Sequence, residues 1–83
     1  MNRENLQDFI RNRNQVLRTG DINRLRAFMQ ERNMPTPRSN TAMAVLLHKT
    51  ITVSTLPRSI KMKSQEWLKA RGYEPILADD DIK

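Results

Sequence analysis

Residues 57–73 read PRSIKMKSQEWLKARGY, and the reading of this stretch decides the fold. Ile60, Ser64, Trp67, Leu68 and Arg71 recur at steps of three and four, which puts them on one helical face at roughly 100° per residue. Between them stand Lys61, Lys63, Gln65, Glu66, Lys69 and Ala70, all good helix formers. Pro57 suits the first turn, where its missing N–H has no intrahelical partner, and Ser54 or Thr55 is placed to cap that turn. At the other end Gly72 fits the C′ position, which takes a left-handed conformation without a Cβ penalty. Tyr73 is then C″ and Leu68 C3, the pair whose contact accompanies a Schellman ending. Pro75 blocks resumption of the helix. The pattern predicts a helix over 57–71 with its Trp67 face turned to the core. Arg58, Lys61, Gln65 and Lys69 line the opposite side.

Upstream, NTAMAVLLHKTI at 40–51 predicts a helix over 40–52, started by Ser39 or Asn40. Its Ala42, Met43, Val45, Leu46, Leu47 and Ile51 cover more than half the circumference, the pattern of a central helix in a bundle. The β-branched run at 50–53 permits a short extended piece, but a helix fraying near Thr52 accounts better for the Leu56-Pro57 junction. MPTPRS at 34–39 reads as a stiff linker, because its prolines disfavour helix. A first helix is predicted over 3–18, with Leu6, Phe9, Ile10, Val16 and Leu17 as its stripe. Arg13 falls within that stripe, so its methylenes should cover the core while its head reaches water or a carboxylate. Gly20 and Asp21 supply a C-cap and the next N-cap with almost no loop. The second helix is predicted over 21–32, with Ile22, Leu25, Phe28 and Met29 inward and Asn33 ending it in αL. The sum is an all-α, compact four-helix domain over 1–78. An acidic tail at 79–83 is expected to be disordered.

Eighty-three residues bury only about 60–65% of the unfolded surface, so the core is compact or shared with a partner. Without cysteine there is no disulfide framework and no thiolate. No signal-type apolar segment opens the chain, and no run approaches the ~20 residues of a spanning helix. A cytoplasmic protein without a membrane partner is the expectation. Fifteen Lys and Arg face nine Asp and Glu, for +6. Asp79, Asp80 and Asp81 concentrate acid in the tail, which leaves fourteen basic against six acidic residues over 1–78. Such a body attracts nucleic acid, acidic protein or anionic lipid. The plain alternative is a solvated basic surface.

The residue inventory speaks against an enzyme, a metal site or a cofactor. His48 is the only histidine and is expected at the edge of its helix. The carboxylates before the tail are scattered, and two glycines cannot make a phosphate loop. Ser59 and Ser64 have no base beside them in sequence, and Ser64 reads as a small residue for close helix packing. Placing Gly20 at the turn of a helix-turn-helix puts Thr19 and Arg26 where buried apolar residues belong, so that motif fits poorly. Phe9, Phe28, Trp67 and Tyr73 are all assigned to core or capping, leaving no platform for stacked bases. What remains is polar ridges. Arg3, Gln7, Arg11, Asn14 and Arg18 share one side of the first helix, and Arg58, Lys61 and Lys69 share one side of the fourth. Interleaved Arg, Lys, Gln and Asn suit phosphate contacts with occasional base contacts. The competing expectation is a protein-interaction module, a homodimer included, using an apolar patch around the third helix with adaptable methionines.

His48-Lys49, Leu56-Pro57, Lys63-Ser64, Trp67-Leu68 and Gly72-Tyr73 with Pro75 carry a resemblance. On these residues the second half resembles a group of short, uncharacterised helical proteins of bacterial prophages and other mobile elements. NRNQVLRTGDINRLRAFMQERNMPTP is similar to that group in layout, whereas Thr41, Ala42 and Met43 stand where the group carries aromatic residues. The resemblance implies a helical fold and a mobile-element context. It implies no activity and carries over no functional residue.

Overall fold

A computed structural model describes residues 4–73. Four helices follow one another: α1 (Leu6–Thr19), α2 (Ile22–Glu31), α3 (Asn40–Thr52) and α4 (Arg58–Ala70), an all-α four-helix domain. Arg3, the expected start of the first helix, and the tail at 79–83 lie outside the described residues.

Each boundary has a local cause. α1 begins at Leu6, three residues after the predicted start at residue 3, because Asn5 takes the N-cap and accepts from the Asp8 N–H at 2.8 Å. Leu6, expected in the stripe, is consequently 73% exposed in the first turn. Gly20 (φ +67°) ends α1, and its N–H reaches the Leu17 carbonyl at 3.1 Å. Asp21 opens α2 by accepting from the Asn23 and Arg24 N–H groups. Asn33 closes α2 at φ +56°, and the Met34 N–H returns to the Met29 carbonyl. Ser39 caps α3 through the Ala42 N–H at 3.0 Å.

α4 starts without a side-chain cap, contrary to expectation. Pro57 itself is the N-cap, so the helix begins at Arg58 and ends at Ala70. Ser54 is spent on the preceding turn, donating to the Ile51 carbonyl and accepting from the Leu56 N–H. Thr55 Oγ1 accepts from Asn14 Nδ2 at 2.9 Å, tying the α3–α4 connection to α1. The far end matches the reading of the sequence. Gly72 is at φ +82°, its N–H reaches the Lys69 carbonyl, and the Tyr73 N–H reaches the Leu68 carbonyl at 2.9 Å. A Cβ at Gly72 meets nothing within 4 Å, so the left-handed backbone is the only obstacle to a side chain. Gly72→Ala is therefore expected to cost about 1–2 kcal/mol in urea denaturation. A neutral result would mean that this ending forms differently in solution.

α3 packs on both α2 and α4, most extensively on α4, while α1 packs on α2. The core joins Leu17, Leu25, Phe28, Met29, Met43, Leu47, Ile51 and Leu56, with Phe9, Val16, Ile22, Leu46 and Ile60 against it. α3 is central, as its composition requires, but not closed over: Ala42 is exposed and Val45 and Leu46 are half-buried. Arg13 is half-buried, and its head meets the Asn14 amide oxygen at 3.1 and 3.3 Å, not a carboxylate.

A second cluster secures the entry to α1. Arg32 forks onto Glu4, with Nε to Oε1 at 2.8 Å and Nη2 to Oε2 at 2.5 Å. Asn12 also donates to Glu4, and the Arg32 guanidinium lies 3.7 Å from the Phe28 ring centroid. Phe28 in turn packs on Phe9 with centroids 5.4 Å apart. The hydrogen bonds from Arg32, then that from Asn12, hold the Glu4 carboxyl down at about 2, against an ordinary 4.5. A depressed carboxyl contributes stability above its ordinary value and loses it as pH falls through the folded value. Glu4→Gln is thus expected to lower the melting temperature by a constant amount above roughly pH 5, the difference closing by about pH 2. A pH-independent difference would show that the charge on Glu4 is not what matters.

Candidate functional site

α1 turns Phe9, Val16 and Leu17 to the core, which leaves Gln7, Arg11 and Arg18 exposed on the other side. With Ile10, Asn14 and Gln15 they line a shallow groove of about 400 Å³. Arg11 pairs with Asp8 one turn earlier, a partly exposed contact of the kind that contributes little in water. Arg18 forms no ion pair with another described residue. Asn14 is committed: its oxygen accepts from Arg13 and its amide nitrogen donates to Thr55. The ridge therefore presents cations, and its central amide serves the fold.

The Asn14–Thr55 bond also brings the segment leading into α4 against the middle of α1. Arg58 follows Thr55 by three residues and is exposed, and Lys61 is partly exposed one turn later. Lys69 shares their face but lies roughly 16 Å from Arg58 along the helix axis and is exposed. Arg11 and Arg18 thus lie about one turn on either side of Asn14, Arg58 follows Thr55 by three residues, Lys69 lies further down α4, and Arg3 is outside the described residues.

The other side of α4 holds what the sequence reading missed. Trp67 is only half-buried and stands outside the central core cluster, a correction to its assignment as a core residue. The His48 ring stacks on it with centroids 4.1 Å apart and planes 24° from parallel. The Arg71 guanidinium lies 4.2 Å from the Trp67 ring centroid. His48 Nδ1 is 2.9 Å from Ser64 Oγ, so Ser64 has a base as neighbour after all, supplied by another helix. Burial first, then the Arg71 charge, holds the His48 imidazole below its ordinary value, which leaves it neutral at neutral pH. Ser64 is 3% exposed, which keeps its hydroxyl from a substrate carbonyl. The bond is a lock between α3 and α4. Spacing held a signal for it: His48 stands three and four residues before the buried Ile51 and Thr52.

Beyond the Trp67–Arg71 pair opens a concavity of about 450 Å³, lined by Asn40, Thr41, Ala44, Trp67, Arg71 and Tyr73. Tyr73 lines it and is 37% exposed, besides its backbone role in the cap. Among the described residues no three His, Asp or Glu side chains come together as a metal site. None of the described helices is long and apolar enough to cross a membrane. No family model, no curated protein and no solved structure matches this chain. The fold and its surfaces define a small basic four-helix domain.

Proposed function

We propose that the protein is a non-enzymatic binding module whose basic faces meet the backbone of a nucleic acid. The observation that carries this reading is the outer face of α1. Arg11 and Arg18 stand exposed along a groove lined by α1 alone, and Asn14 ties that face to the approach of α4, where Arg58 and Lys61 follow. The commitment of the Asn14 amide favours phosphate contacts over reading of base edges.

A salt titration against random-sequence duplex DNA tests it. With about four phosphates neutralised, the slope of log K on log salt is near −3.6, a loss of roughly 150-fold between 50 and 200 mM. Absence of binding at ~50 mM salt sinks the proposal. The second reading is a protein-interaction module, as an accessory or inhibitor of a phage or host protein. It is supported by the incompletely covered α3 and by a small apolar cleft of about 80 Å³ between α1, α2 and α3, edged by Met34 and Leu46. Failure of the salt titration leaves that reading in place.

A further inference from the structure

The concavity beside Trp67 has a composition unlike the rest of the surface. Its walls are an indole, a phenol ring and the Arg71 guanidinium, with Asn40 and Thr41 as polar rim and Ala44 as floor. Among the described residues no carboxylate lines it. Arg71 makes no ion pair with another described residue, and its one hydrogen bond is a long 3.4 Å contact to the Trp67 carbonyl. Arg26 stands behind the rim and donates to Asn40 Oδ1 at 2.9 Å. That bond orients the amide, occupies its acceptor and leaves its NH₂ as a donor. Arg71 in the lining and Arg26 behind it, with no carboxylate among the described lining residues, favour an anion. Two aromatic rings favour a planar π system attached to it. A guanidinium serves both at once, stacking through its plane and donating through its edge.

The geometry points to this concavity as the site of one unpaired nucleotide of a single strand, its base against Tyr73 and the Arg71 plane and its phosphate on the Arg71 edge. The volume, about 450 Å³, is within the range of small-ligand sites. A base in a duplex is already paired and stacked, so only a single strand or a frayed end can offer one. Stacking accepts any base, because every base has a π face. The inference rests on the nucleic-acid reading above and adds to it a preference for unpaired over paired strands. It departs from the expectation that no aromatic residue is free for stacking.

Trp67 is the only tryptophan of the chain, so intrinsic fluorescence reports on this site directly. The full chain is titrated with an eight-residue oligothymidylate, an abasic octamer of equal charge, and N-acetylphenylalanine. The expected result is a change in Trp67 emission with the oligothymidylate and binding roughly 5- to 150-fold tighter than to the abasic octamer. Arg71→Gln, at an exposed position beyond the last turn, is expected to remove that preference, while the abasic octamer weakens only by the loss of one phosphate contact. Equal binding of both octamers with unchanged emission overturns the site and leaves backbone binding standing. Binding of neither octamer by a chain that binds random duplex overturns the site, and binding of neither octamer nor duplex overturns the nucleic-acid reading and the site with it. A response to N-acetylphenylalanine alone reassigns the concavity to a peptide carboxylate and overturns the nucleotide. Full preference retained in Arg71→Gln overturns the role given to Arg71.

Discussion

Replacing Arg11 and Arg18 together with glutamine is expected to weaken binding to random duplex DNA by roughly 100-fold at ~50 mM salt. Each phosphate contact releases condensed counterions, and at that salt each release is worth about 15-fold in affinity. Two contacts set an upper limit near 200-fold, and the existing Arg11–Asp8 pair offsets part of the gain from Arg11. The slope of log K on log salt should become shallower by about 1.8. Glutamine keeps the helix propensity of arginine closely enough to leave α1 intact, so the thermal transition should shift little. A variant with wild-type slope would show that the outer face of α1 does not meet the strand. Lys69→Gln provides the internal comparison. Lying well down α4 from Arg58, it should change the slope less than either α1 residue.

Leu47→Ala is expected to cost about 3–5 kcal/mol, the upper part of the range for buried leucines. Leu47 is 1% exposed and sits in the middle of α3, the helix that packs on both α2 and α4. The cavity cannot collapse easily, because Leu17 of α1 and Leu25 and Phe28 of α2, in the same cluster, are fixed on two other packed helices. At about 0.05–0.15 kcal/mol per residue, a domain of this length has roughly 4–12 kcal/mol in all. The substitution therefore removes about a quarter of the stability or more. Urea denaturation followed by helical circular dichroism measures it. Val45→Ala, on the half-buried side of the same helix, should cost under half as much. Equal losses at the two positions would mean that α3 is covered on both sides in solution, by a second copy or a partner.

Local chemistry explains which parts of the fold were legible. Gly20, Asp21, Asn33, Ser39 and Gly72 act through φ preference or through a side chain two or three residues from its target. Such features need no knowledge of the rest of the molecule. The start of α4 failed the same reading because Ser54 had a nearer claim on it, the Ile51 carbonyl and the Leu56 N–H. Leu6 failed because helical angle assigns a direction to a residue that the cap at Asn5 leaves in a first turn open to solvent. The basic ridges were visible as ridges. The bond between Asn14 and Thr55, 41 residues apart, was not.

Residues 57–73 divide the two kinds of knowledge. The sequence alone determined the helix, its apolar and basic sides, and its Schellman ending, because caps, propensity and periodicity act within a few residues. Only the tertiary structure decided what opposes each side. It placed His48 of α3 against Trp67 and Ser64, left the indole half-open beside Arg71, and put Asn40 and Thr41 across from Tyr73. A helix knows the direction of its side chains from its own geometry. The surface that a side chain meets depends on which helices dock and how closely, and that is settled by burial over the whole chain.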